Sequence, residues 1–204
     1  MRNIKFKKVG AINFCCFKEK IELLFEENKV VLVTGPNGSG KTTMFDIIPY
    51  TFYGVTSKGL RGDDVVNDEV QKDCYSWVKF AINNDEYDVE RYCKHYKLGN
   101  TVSLKKNGVL IKKGHSEVVP EIERLLVPQK LFMNTLLFSQ KVKTFFTDLS
   151  DGEQKDIFRK VLMLDDYVTW YNECNVILKE LEGTKLAIDN EISLNNGLFD
   201  SVVK

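Results

Sequence analysis

The sequence has no stretch approaching the roughly 18 consecutive apolar residues that a membrane helix needs, and no apolar run follows the polar, basic segment Met1–Lys8. Neither a membrane span nor a secretory leader is expected, and the chain reads as cytoplasmic. It lacks an excess of either charge, because 29 Lys and Arg face 29 Asp and Glu. No overall field draws it to nucleic acid or a membrane, so any such contact would rest on local patches. Its five cysteines include no C-x-x-C pair, and only His95 and His115 are available to join them. That set argues against a structural zinc site and a disulfide framework, and fits a reducing compartment. Internal repeats and low-complexity tracts are also missing. What remains, 43% apolar and 28% charged residues in a chain of 204, is the composition of a packed globular protein.

The patterning is mixed. Ile4, Phe6, Ile12 and Phe14, and then Ile21, Leu23 and Phe25, alternate with polar residues as half-buried strands do. Val30-Val31-Leu32-Val33 is continuously apolar, which predicts a strand covered on both faces. Met44, Ile47, Ile48 and Phe52 follow at helical spacing, with Gly54 as the exit. Thr56–Asp73 has no period and reads as a long surface loop. Two hairpins are expected next, turning at Asn83-Asn84-Asp85 and at Asn107-Gly108. From Pro120 the pattern is helical. After Tyr167 the positions Tyr171, Cys174, Leu178, Leu181, Ile188 and Ile192 keep a heptad seam, with Lys185 as a miss and Gly183 weakening it.

Between the apolar run and the helix lies Gly35-Pro36-Asn37-Gly38-Ser39-Gly40-Lys41-Thr42-Thr43, which fits G-x-x-x-x-G-K-[ST] in the context of a true phosphate loop. Glycines let backbone N–H groups converge on phosphate oxygens, and the helix start adds partial positive charge. Lys41 can reach the β- and γ-phosphates, and the Thr42 hydroxyl suits Mg²⁺. The pattern implies binding of ATP or GTP. Motifs of the N-K-x-D kind that read guanine are missing, and so is an arginine-rich lid of the sort small nucleotide kinases carry.

In their order, Ile4–Phe14, Ile21–Phe25, Val30–Thr43 and Asp46–Gly54 resemble the N-terminal lobe of the SbcC and SMC-like DNA-repair ATPases, including the ATPase subunits of phage recombination endonucleases. Leu131–Gln140 resembles the approach to their Q-loop, and Phe145–Tyr167 the helix leading into their coiled coil. The resemblance implies an α/β fold: a P-loop NTPase of ABC-head type, N-terminal lobe, with an antiparallel β subsheet and the start of a coiled coil. The expected division is 1–165 for the lobe and 166–204 for the coiled-coil helix. It further implies ATP and Mg²⁺ as cofactors, with Gln140 meeting Mg²⁺ and the attacking water. The implied partners are a C-terminal lobe of the same ATPase carrying the general base, a second copy joined through ATP-sandwiched heads, a nuclease subunit, and double-stranded DNA or its ends.

Besides a nucleotide-independent coiled-coil interaction module, two other readings are open. A self-contained small kinase would need no second lobe. A compact ABC-type ATPase would use Leu149–Gln154 as signature and Val161–Asp166 as Walker B strand. Against the second, helical spacing runs through Ile157, Val161 and Leu164, and Ser150 with Glu153 makes a capping box. The lysine clusters at positions 5–8, 105–106, 112–113 and 141–143 read first as solvation and only then as DNA contacts. Arg61 and Arg91 are candidate supports for nucleotide or partner lobe, or members of structural salt bridges. Cys15 stands where the resembled family often has a basic residue near the base. Phe132, Phe138, Phe145 and Phe146 read as core.

Overall fold

A computed structural model of the chain describes residues 3–25, 30–133, 150–162 and 164–202. They form two compact units, Met1–Ser150 and Asp151–Lys204.

The first unit is built on a six-stranded antiparallel sheet of β1 (Ile4–Ile12), β2 (Ile21–Leu24), β3 (Cys74–Ile82), β4 (Asp85–His95), β5 (Gly99–Lys106) and β6 (Val109–Lys113), in the order β2-β1-β3-β4-β5-β6. Alternation decides its two faces. Val78 and Phe80 of β3 oppose Val89 and Tyr87 of β4, and Leu104 of β5 opposes Val89, all on one apolar face. A register shift between Phe6 and Lys8 lets Phe6 and Val9, three residues apart, face that same side against Phe80 and Val78. The opposite face carries paired charges, Lys79 with Asp88 and Lys105 with Glu90, beside a stack of Trp77, Tyr75 and Tyr92. Both expected hairpins are present, and Asn83 and Asn107 take the positive φ their turns need.

The apolar face is covered by α1 (Lys41–Tyr53) and α2 (His115–Leu125). α1 ends as expected at Gly54, which is left-handed and donates its N–H to Tyr50 O at 2.8 Å. Pro49 within α1 does not end it. Phe52, fully buried, is ringed by Phe6, Tyr53, Phe80 and Phe132 at centroid distances of 5.5 to 6.2 Å. Phe132 is thus core, while Phe138, Phe145 and Phe146 lie outside the described residues. A helical turn, α3 (Gln129–Leu131), brings Phe132 there.

Three expectations are corrected. Val30–Val33 is not a strand, and Val30 and Leu32 are 98% and 84% exposed; a both-faces-buried strand needs neighbours, and no described strand pairs with this run. Thr56–Asp73 is not only a surface loop, since a 3-10 turn at Gly62–Val65 sinks Val65 and Val66 into the core. The helical region begins at His115, five residues before Pro120, which α2 carries within it.

The second unit is α4 (Asp151–Val161) and α5 (Asp165–Val202). α4 starts on the residue after Ser150, and the spacing through Ile157, Val161 and Leu164 is broken by a turn rather than continuing in one helix. α5 has 38 residues and runs through Gly183. Tyr171, Leu178, Leu181, Ile188 and Ile192 are exposed along it. Among the described residues no helix is long and apolar enough to cross a membrane.

Candidate nucleotide site

The loop Gly35–Gly40 runs directly into α1. Gly38 and Gly40 have φ of 84° and 86°, a region that residues with a Cβ avoid. Gly40 is constrained twice, because a Cβ there would stand 2.8 Å from both Cys16 Sγ and Phe17 Cζ. The turn Asn13–Phe17 is therefore packed against the loop. That turn is itself held: Cys15 N–H donates to Val65 O at 2.7 Å, and Asn67 Nδ2 donates to Cys15 O at 2.6 Å. Burial, with Cys16 next to it, pushes the Cys15 thiol up to about 11, so it stays neutral near pH 7. At this position the neutral Cys15 brings no charge to the loop, and the packing against Gly40 comes from its neighbours Cys16 and Phe17.

α1 opens with Met44 N–H donating to Gly40 O at 2.9 Å, so the N–H groups of Lys41, Thr42 and Thr43 have no intrahelical acceptor. There is no side-chain cap at this end and no acidic residue in the first turn. The positive end of the helix is left uncompensated by the protein, which is what an anion cradle requires. Lys41 Nζ donates to Gly35 O at 2.8 Å and Pro36 O at 2.7 Å, holding its ammonium over the loop. Thr42 is exposed beside it. Gly35, Pro36, Asn37, Gly38 and Ser39 are exposed along the loop as well. This donor set fits a nucleotide polyphosphate and, through the Thr42 hydroxyl, its Mg²⁺. Gln140, the expected second contact to the metal and the water, lies outside the described residues.

Asp46 was not singled out in the sequence, yet it fixes the far side of α1. It is buried and its carboxylate accepts the Ser57 N–H at 2.8 Å. Its position four residues after Thr42, with Ile47 as neighbour, gave no periodic signal. Among the described residues Arg91 forms no salt bridge: its Nε donates to Thr51 O at 3.0 Å and its Nη2 to Phe52 O at 3.2 Å, at the other end of α1. Arg61 is exposed and its backbone bridges Val55. Neither arginine is brought to the phosphate loop.

The lysine clusters divide. Lys7 pairs with Glu86, Lys8 with Glu22 at 2.9 Å, Lys105 with Glu90 at 2.8 Å and Lys106 with Asp85 at 2.8 Å. Lys112 and Lys113 sit exposed on edge strand β6, and Lys141 and Lys143 lie outside the described residues. The compact ABC reading finds no support in the backbone, since Val161–Asp166 spans a helix end, a turn and a helix start, with no strand among its described residues.

A family model described as an AAA domain matches residues 8–199. Among curated proteins, the DNA double-strand break repair Rad50 ATPase of Archaeoglobus fulgidus is 27% identical over 185 residues, 89% of this chain and 19% of that protein. A probable exonuclease subunit 2 of Escherichia phage T5 is 30% identical over 117 residues, 57% of this chain and 18% of that protein. The chain thus spans about a fifth of the length of these relatives. A solved SMC ATPase, described for ATP-driven dimerization and DNA-stimulated activation, aligns with a TM-score of 0.52 at 19% identity, covering 77% of this chain and 99% of that one. This likeness supports the head fold. With the loop, its helix and a match over most of its length, the chain belongs to the AAA-domain family of P-loop ATPases and is similar to Rad50, SbcC and SMC proteins.

Proposed function

We propose that this chain binds ATP with Mg²⁺ as the N-terminal lobe of an SbcC-like ATPase subunit, and that hydrolysis requires a C-terminal lobe. The observation that carries the reading is the uncompensated start of α1 beneath the Lys41 ammonium. Lys41 stabilises the phosphate charge, the backbone N–H groups of Gly38–Thr43 orient it, and Thr42 holds the metal, with Gln140 as second ligand and water-positioning group. None of these groups is a general base, so the base belongs to the complementary lobe. The exposed Val30–Leu32 run supports that reading, because an apolar segment of this kind is stabilised by strands on either side.

The proposal extends to the assembly. The chain is divided functionally at 165/166, with 166–204 as the root of a coiled coil whose exposed seam on α5 awaits a partner helix. Two heads sandwich ATP between them, and the complex carries a nuclease subunit and acts on DNA ends in the cytoplasm. The exposed lysines of β6, Lys112 and Lys113, are the described basic residues best placed for phosphate contact. Rad50 and phage exonuclease relatives support this direction.

Thr42→Val tests the metal assignment. ATP affinity measured by titration calorimetry with and without Mg²⁺ is expected to differ in the parent and to become nearly equal in the variant. Retention of the full Mg²⁺ dependence would remove Thr42 from the metal site.

A further inference from the structure

Arg91 occupies a core-facing position of β4, between Val89 and Cys93, and is only 8% exposed. Its three hydrogen-bonding contacts are the Thr51 and Phe52 carbonyls and, 3.4 Å from Nη1, His115 Nδ1, and its Cζ lies 5.8 Å from the centroid of the Tyr50 ring. Two of the five N–H donors of a guanidinium are left without a partner among the described residues. No carboxylate among those residues pairs with it. The carbonyls at the C-terminus of α1 offer it partial negative charge, but a buried cation without a counter-ion stays costly. Burial accordingly draws its pKa down to about 10, and burial together with the Arg91 charge lowers that of His115.

The guanidinium opens on a cavity of about 250 Å³, lined also by Tyr50, Gly62, Cys93, Thr101 and His115. Gly54 also lines it, and a Cβ there would lie 3.2 Å from Arg91 Nη1 and 3.4 Å from His115 Cε1. The eleven-residue helix α2 begins at this cavity with His115; Gly114 before it supplies no side-chain cap, and Glu117 is the one acidic residue of its first turn. A buried, incompletely partnered cation and an uncapped helix start therefore meet at one hollow. By helix rise it lies roughly 20 Å from the phosphate loop, at the opposite end of α1.

We propose that this cavity is a second anion site, binding a small oxyanion of the carboxylate or phosphate class through Arg91 and the His115 end of α2. Bound there, the anion supplies the counter-charge that the fold withholds and joins the C-terminus of the nucleotide helix to the N-terminus of α2. Neither nucleotide nor a second lobe is needed for it.

The test uses the full chain carrying Lys41→Ala, which silences phosphate binding at the loop, and follows the Arg91 Nε–H resonance. Sodium phosphate and sodium acetate are titrated separately against sodium chloride at matched ionic strength. A saturable shift with either salt is expected, and the salt that saturates assigns the class. Thr101→Asp places a carboxylate in the cavity and is expected to weaken that binding at least tenfold while raising the thermal midpoint in chloride. His115→Glu, at an exposed helix start, is a second variant with the same expected loss should Thr101→Asp not fold. Non-saturating shifts with both salts, or saturation unchanged in the folded variants, would overturn the proposal.

Discussion

Lys41→Ala is expected to weaken ATP binding at least a hundredfold while leaving the fold intact. The side chain contributes only two loop contacts to the protein itself, to Gly35 O and Pro36 O, and it is half-buried. Those bonds set its position without supporting the core. In the bound state the ammonium exchanges carbonyl partners for phosphate oxygens, and truncating one side of such a charge-assisted contact costs about 2–5 kcal/mol. At about 1.4 kcal/mol per decade, the middle of that range is a hundredfold or more. Titration calorimetry gives the affinity, and an unchanged thermal midpoint without nucleotide shows that the loss is local. Lys41→Arg is no remedy, because a planar fork cannot reproduce a compact point charge inside so tight a loop. Binding by Lys41→Ala within threefold of the parent would remove the lysine from the site.

The largest effect on stability is expected from Phe52→Ala. Phe52 is 0% exposed, and its ring meets Phe6, Phe80, Tyr53 and Phe132, so it joins strands β1 and β3 to α1 and to the segment after α3. Removing a fully buried aromatic ring costs about 3–5 kcal/mol, because the packed surroundings collapse only partly into the space. Against a typical stability of about 5–15 kcal/mol this is a fifth of the total or more. Urea unfolding should show a lower midpoint with an unchanged slope. Phe52→Leu, which keeps most of the volume, should recover more than half of the loss. An equal loss in both variants would place the contribution in ring geometry instead of volume.

How far the sequence disclosed this structure depended on whether a signal was local. The phosphate loop, the Gly54 exit of α1 and the two asparagine turns are each decided by the few residues that form them, and all are where the pattern puts them. Val30–Val33 shows the converse. Its apolar run states the surroundings in which a strand would be stable, but pairing depends on other segments. Val65 and Val66 failed as a signal because two apolar residues in a polar stretch have no period to follow. Arg91 was legible in address but not in role: it continues the period of Tyr87 and Val89 toward the core, yet its charge suggested a salt bridge. The carbonyls of Thr51 and Phe52 that receive it belong to a helix 40 residues earlier, which spacing cannot reveal.

The candidate site is legible to the same degree. The residues from Gly35 to Thr43 carry the whole cradle, and one segment can report it. The support from Cys16 and Phe17 against Gly40 comes from a different segment, and only the steric argument at Gly40 exposes it. Asp46 was hidden for a similar reason, because its acceptor role toward Ser57 depends on the path the chain takes after α1.

On the proposed function, this chain holds the phosphate half of an ATPase site and the complementary lobe holds the hydrolytic half. The most direct test is steady-state ATP turnover by the purified 204-residue protein with Mg²⁺, compared with its Asp166→Asn variant, under conditions where calorimetry shows ATP bound. Bound ATP with turnover close to background, unchanged by Asp166→Asn, is the expected result. Robust turnover that Asp166→Asn abolishes would contradict it, and would locate a general base at the start of α5.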